Sequence, residues 1–185
     1  MYRDISNKRG FAINLNTMYT IAETPRLIIR EFLPEELDIY LDHFNDEEVC
    51  LHLPKRSRDE RIGIFGRALN QYEVTKKLGT WGMFNKTNGN FVGSCLLRPF
   101  NEQANQVEIG YSMEKRYWGK GIGTEMAVAM VIYAFEDESV TQVVGCTTLE
   151  NTGSQRVLEK AGLKRVDNML RDGVELAFFE LGRSI

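Results

Sequence analysis

The stretch RYWGKGIGTEM, Arg116 to Met126, places glycines at 119, 121 and 123, where a strand-like run gives way to a long apolar helix. Without a Cβ the chain can turn sharply there and come close to a ligand. A helix that starts at such a turn leaves its first amide N–H groups unpaired and carries a partial positive charge at that end. The combination is a receptor for an anion, with phosphate or pyrophosphate as the natural occupant. For GxG alone, the plainer reading is a glycine-rich turn that only admits the chain to a helix.

Two common phosphate-binding patterns are excluded by spacing. A Walker loop needs G-x-x-x-x-G-K-[ST], which the chain does not contain. A dinucleotide fingerprint needs G-x-G-x-x-G, and Gly121 and Gly123 begin one, but position 126 is methionine. The flanking sequence is more informative. Gln106–Met113 (QVEIGYSM) reads as a strand, and Met126–Phe135 (MAVAMVIYAF) is apolar around its whole circumference, the mark of a buried helix. Gln142–Thr148 (QVVGCTT) reads as a second strand, followed by Asn151 and a helix running through Ala161. Strand, glycine loop, helix, strand and Asn-led helix make an α/β unit.

The run VEIGYSMEKRYWGKGIGTEMA, with ENTGSQRVLEKAGLKR downstream, resembles the GNAT superfamily of acetyl-CoA-dependent N-acetyltransferases. Within it, the chain is most similar to the branch of Rim-type ribosomal-protein N-terminal acetyltransferases. TPRLIIREF (Thr24–Phe32) and FVGSCLLRPF (Phe91–Phe100) share that similarity. The resemblance implies a single α/β (α+β) domain over residues 18–185. Its central sheet is expected to be mixed, mostly antiparallel and splayed in the middle, with helices on both faces. The implied reaction is direct transfer of acetyl from acetyl-CoA to a primary amine in a ternary complex, without a metal.

The resemblance also implies site residues. The loop Gly119, Lys120, Gly121, Ile122, Gly123 and Thr124 holds the pyrophosphate through main-chain amides. Trp118 stands where the family motif [QR]-x-x-G-x-[GA] has Gln or Arg. Tyr111 and Met113 lie beside the pantetheine arm, and a main-chain N–H near Met113 points at the thioester oxygen. Asn151 and Ser154 complete the cofactor set, and Asn151 reads equally well as a helix cap. Many relatives protonate the departing thiolate with a tyrosine seven residues after that asparagine, but here the position is Leu158. Ser154 is the substitute donor; Tyr111 and Tyr117 are lesser candidates.

Glu108 is the candidate base, on the strand that faces the cofactor, with a salt-bridged glutamate as its alternative. The need for a base depends on the acceptor. Deprotonating an α-amine of pKa about 7.8 near pH 7 costs roughly 1 kcal/mol, and a lysine-type amine of pKa about 10.4 roughly 4.6 kcal/mol. His43 and His52 have no metal partners at ligand spacing and read as surface or half-buried side chains. Cys146 reads as core. The acidic segment Glu35–Glu48 reads as a solvated helix face, or as a lure for a cationic amine.

The rest of the chain sets bounds. Its 185 residues suit one domain, and no apolar run approaches the 18 or more residues of a membrane span. Three unclustered cysteines and the absence of a leader pattern point to a reduced, cytoplasmic protein. A net charge of −3 argues against nucleic acid as a partner. The expected acceptor is a protein N-terminus, a polyamine, an aminoglycoside or another small amine. Residues 1–17 are polar and aperiodic and read as a flexible extension or an alternative start before Met18. A sheet-edge homodimer, a non-catalytic acyl-CoA sensor and, more remotely, a nucleotide-binding module stay open at this stage.

Overall fold

The structure is a computed structural model that describes residues 18–101 and 103–183. The extension expected at 1–17 lies outside the described residues. In chain order the elements are β1 (Thr20–Glu23), β2 (Leu27–Arg30), α1 (Leu37–Asp42), α2 (Glu47–Cys50) and α3 (Arg58–Tyr72), then β3 (Gly79–Asn85), β4 (Phe91–Phe100) and β5 (Gln103–Met113). After the glycine loop come α4 (Ile122–Glu136), β6 (Gln142–Thr148), α5 (Thr152–Lys160), β7 (Lys164–Arg165), β8 (Met169–Arg171) and β9 (Val174–Gly182).

One sheet runs in the order β1-β2-β3-β4-β5-β6-β9-β7, with β8 also paired to β9. Every pairing is antiparallel except β5–β6. This is the mixed, mostly antiparallel domain that the resemblance implied. The two hairpins follow from their turn residues. Gly89 takes φ +71° between β3 and β4, while Asp172 and Gly173 take φ +52° and +77° between β8 and β9. Two successive positive φ values match the right-handed twist of the flanking strands.

β5 and β6 pair only at Gln106↔Gln142, Val107↔Val143 and Glu108↔Val144. Beyond Glu108 and Val144 the strands part, so Ile109–Met113 and Gly145–Thr148 form the two arms of a fork. Side chains alternate between faces along each arm. Ile109 and Met113 point to the face covered by α4 and α5: a Cβ on Gly145 would meet Leu158 and Ile109, and one on Gly123 would meet Val157 and Met113. Ser112 points to the other face, where its hydroxyl meets His43. On that face Phe32, Tyr40 and Phe65 pack edge-on and tilted, joining α1 and α3 to the sheet.

The acidic segment read as a helix face begins with a 3₁₀ turn at Pro34–Glu36 followed by α1. α3 ends at Tyr72, where its hydroxyl donates to the Thr80 carbonyl and accepts from Phe32 N–H. The helix read as buried all round is buried on one side only. Met126, Ala127 and Met130 are inaccessible, whereas Ile132 is 60% exposed. The sheet and α5 cover two flanks of α4, and its third flank faces outward.

Gly93 faces Met113 across the β4–β5 ladder, and a Cβ there would lie 2.1 Å from the Ser112 carbonyl oxygen and 2.8 Å from Met113 Cα. Backbone atoms cannot swing aside as a side chain can. Gly93→Ala is therefore expected to destabilise the fold by at least the roughly 1–3 kcal/mol of an overpacked site. Gly66→Ala in α3, where nothing lies within 4 Å, should be neutral or stabilising. Urea unfolding of the two variants checks the contrast, and wild-type stability in Gly93→Ala would contradict it.

Candidate active site

The glycine loop begins with a 3₁₀ turn at Lys115–Tyr117 and ends at Gly121, the N-cap of α4. Gly119 and Gly121 take φ +70° and +75°, values that favour glycine. Gly121 offers no side-chain cap, so the amides of Ile122, Gly123 and Thr124 lack intrahelical partners. Gly123 has a separate reason to lack a side chain, since a Cβ would come within 3.2 Å of Val157 on α5.

Glu125 is an acid in the first turn of α4, and a free carboxylate there would repel an anion. It is instead engaged by the β1–β2 turn. Thr24 Oγ1 and Arg26 N donate to Glu125 Oε1 at 2.5 and 2.8 Å, and Arg26 Nε donates to Oε2 at 2.6 Å. Arg26 Nη1 also donates to the Lys120 carbonyl at 2.8 Å, which turns that oxygen away from the loop's amides. Partial burial would raise the Glu125 pKa, but the bonds from Thr24 and Arg26 outweigh it and keep the carboxyl ionised below its usual range. The side chains of Lys120 and Thr124 have no polar partner among the described residues.

Met113 lies where the fork is open. Glu114 N donates to Val92 O at 2.9 Å, so the Glu114 amide points toward β4. Successive amides of a strand alternate in direction, so the Met113 N–H points away from β4 into the fork. Its carbonyl points the same way and accepts from Trp118 Nε1 at 2.7 Å. The tryptophan that replaces Gln or Arg in the motif thus fixes the end of β5.

Asn151 Oδ1 accepts from Ser154 N at 3.0 Å and caps α5. Ser154 Oγ lies 3.3 Å from Tyr111 Oη, which donates to it across the fork. Burial raises the phenol pKa of Tyr111 against the lowering effect of that bond, so it stays protonated. Leu158 is 2% exposed and packs over Gly145, filling the base of the fork. Tyr111, Met113, Trp118, Asn151 and Ser154 therefore gather around one opening with the glycine loop beside it.

Glu108 is placed differently from a free base. It is 6% exposed at the apex of the fork, on the face opposite Tyr111. Arg171 Nη1 donates to Oε1 at 2.8 Å, Arg98 Nη2 pairs with Oε2 at 2.9 Å, and Cys146 Sγ donates to Oε1 at 3.2 Å. Burial would raise its pKa, but Arg171 and Arg98 outweigh that and lower it. A carboxylate with both oxygens committed to cations is a weak proton acceptor, which favours the salt-bridged alternative. Burial, with Glu108 beside it, pushes the Cys146 thiol up to about 12, so it rests unionised.

The histidines are not bland. His43 is 4% exposed, with Nε2 at 2.9 Å from Ser112 Oγ, and Ser112 Oγ lies 3.2 Å from Ser94 Oγ. His52 Nδ1 lies 2.8 Å from Thr148 Oγ1, on the other arm of the fork. One segment thus touches both arms from the α1–α3 side. A cavity of about 370 Å³ opens beside it, lined by Asp42, His43, Asp46, Val49, Glu114, Lys115 and Arg116. Among the described residues no group of three or more His, Cys, Asp or Glu is placed to hold a metal. Within the acidic segment, Glu36 pairs with Arg30, Glu48 with Lys115, and Asp46 caps α2.

Comparison with known proteins agrees with this geometry. Residues 26–164 match the acetyltransferase (GNAT) domain family, and the chain belongs to that family. An uncharacterized N-acetyltransferase, p20, of Bacillus licheniformis is 22% identical over 161 residues, spanning 85% of this chain and 87% of its own length. The FsC-acetyl coenzyme A-N(2)-transacetylase of Aspergillus fumigatus is 31% identical over 118 residues, 60% of this chain and 49% of that protein. The fold matches RimL, a ribosomal L7/L12 α-N-protein acetyltransferase solved with coenzyme A, at TM-score 0.75 and 12% identity, covering 89% of this chain and 98% of that one. Members of the family use acetyl-CoA. The glycine loop fits that coenzyme, offering unpaired amides, two positive-φ glycines and a neutralised Glu125.

Two expectations follow. His43 is held neutral by burial, helped by Arg61, with its pKa lowered to about 4 from 6.5. The unfolded chain therefore binds this proton first, and the contribution to stability is complete above about pH 6.5 and lost as pH falls toward 4. Between pH 7 and 5 it amounts to about 2 kcal/mol, and His43→Gln should flatten that part of the urea stability profile. An unchanged profile would contradict the assignment. Separately, Arg26→Ala should weaken acetyl-CoA about tenfold by calorimetry, yet leave acetyl-pantetheine, which lacks the phosphates, unaffected. Equal losses with both donors would mean that Arg26 is only structural.

Proposed function

We propose that this protein is an N-acetyltransferase that moves acetyl from acetyl-CoA to a primary amine in a ternary complex. The observation that carries the proposal is the fork. It sets the free Met113 N–H, the Ser154 hydroxyl and the glycine loop around one opening, on a chain of the acetyltransferase (GNAT) domain family.

In this reading the amides of Ile122, Gly123 and Thr124 bind the pyrophosphate, with Gly119 and Lys120 shaping the turn. The Met113 N–H donates to the thioester oxygen as it gains charge, a contribution of about 3–4 kcal/mol for one well-aimed donor. Ser154 gives its proton to the departing sulfur, and Tyr111, already donating to Ser154 Oγ, restores it. Glu108 clamps the apex of the fork. The acceptor enters from the α1–α3 side, past the cavity beside Glu114. Protein N-termini come first among acceptors, in keeping with the Rim-type neighbours, and polyamines and aminoglycosides second. The three free cysteines support a cytoplasmic setting.

The test is thiol release from acetyl-CoA against serine-, alanine- and methionine-initiated peptides, spermidine and an aminoglycoside, with calorimetric acetyl-CoA binding on the same protein. Release with one class establishes the transferase. Binding without release leaves a non-catalytic acyl-CoA sensor, and no binding overturns the reading. Ser154→Ala is expected to lower kcat by about 10²-fold or more with acetyl-CoA affinity retained. A rate within threefold of wild type would remove its role.

A further inference from the structure

We infer that His52 is the base that takes the proton from the acceptor amine, oriented by Thr148. The inference rests on the acetyltransferase reading and names a residue that neither the family match nor the motif spacing singles out.

The fork has two faces. Tyr111 and Ser154 meet on the α4–α5 side, which makes that the side of the leaving sulfur. The other side, toward which Glu108, Ser112, Cys146 and Thr148 project, has the cavity beside His43 and Glu114 and is taken as the approach of the amine. Direct contact between Cys146 Sγ and Glu108 Oε1, on different strands, shows that these two share a direction. The titratable groups there can be taken in turn. Glu108 has its oxygens committed to Arg98 and Arg171. Cys146 rests as a thiol hydrogen-bonded to Glu108. His43 packs edge-on against Phe44 and Phe91 and is 4% exposed, with Nε2 engaged by Ser112 and Nδ1 buried without a partner, so neither ring nitrogen is open to an entering amine.

His52 differs from all three. It is only half-buried, and its Nδ1 is fixed by Thr148 Oγ1 at 2.8 Å. Nε2 has no partner among the described residues. Thr148 also ties this histidine to the acid. Its carbonyl accepts from Asn151 N at 3.1 Å, and Asn151 holds Ser154 N. Base and acid thus hang from the same end of β6, on opposite faces of the arm that lines the thioester's place.

The proton balance is complete. The ammonium of the acceptor gives one proton to His52 Nε2, which passes it to solvent. The freed lone pair forms the C–N bond as the C–S bond breaks, and the sulfur takes the Ser154 proton. The second proton lost by the nitrogen leaves to solvent, and solvent restores the proton that Tyr111 passes to Ser154. An amide, a thiol and one released proton result.

The test uses whichever amine of the panel above the wild-type protein acetylates fastest. His52→Ala is expected to lower kcat/KM for the amine by about 10²–10⁴-fold, with calorimetric acetyl-CoA affinity and melting temperature unchanged. Added imidazole should restore part of that rate in His52→Ala and none in Ser154→Ala. Thr148→Val should give a smaller loss. A His52→Ala rate within threefold of wild type, or a loss that imidazole does not relieve, overturns the role of His52 and leaves the transferase standing. A wild-type protein that acetylates no amine removes both.

Discussion

Adjacent parallel strands usually stay paired along their shared length, yet β5 and β6 hold together for three residue pairs and then part. Two packed groups flank the point where they part. On one face Glu108, Arg98, Arg171 and Cys146 form a bonded knot at the apex. On the other, Leu158 sits over Gly145 and Ile109. The unpaired amides that result would be costly if buried and orphaned. An arm that must find other partners is well suited to receive an extended, amide-bearing ligand such as the pantetheine arm.

The fork also separates tasks by face. Tyr111 and Ser154 occupy the α4–α5 side, while His43, His52 and the ion-paired Glu108 occupy the α1–α3 side. This division explains the leucine at position 158. That position is already used for packing, and a polar donor there would face the apolar surface of Ile109. Ser154, the donor proposed above, lies one turn earlier, where Asn151 organises the start of the helix. At the start of α4, Arg26 engages the Glu125 carboxylate beside the unpaired amides of the first turn.

Much of this was legible in the chain because the signals were local. Glycines at alternate positions before a helix announce a sharp turn into its first residues, and Asn151 three residues before Ser154 announces a cap. What escaped reading depends on distant partners. Sequence alone could not choose between base and salt bridge for Glu108, because Arg171 is 63 residues away. Glu125 meets Arg26 across 99 residues. His43 and His52 had no neighbours to mark them, since Ser112 and Thr148 come from strands 69 and 96 residues away. The helix Ile122–Glu136 misled for a different reason. Periodicity reports apolarity, and Val128 and Ile132 are apolar without being covered.

The most direct measurement is an amide chemical-shift titration of the ¹⁵N-labelled protein with acetyl-CoA, compared with a titration by acetyl-pantetheine. The account predicts that acetyl-CoA shifts the amides of Gly121, Ile122, Gly123 and Thr124 together with Met113 and Ser154. Acetyl-pantetheine should move Met113 and Ser154 while leaving the glycine loop still. Shifts confined to the loop, or centred on the separate cavity between Lys76 and Tyr133, would contradict the claim that the fork receives the thioester.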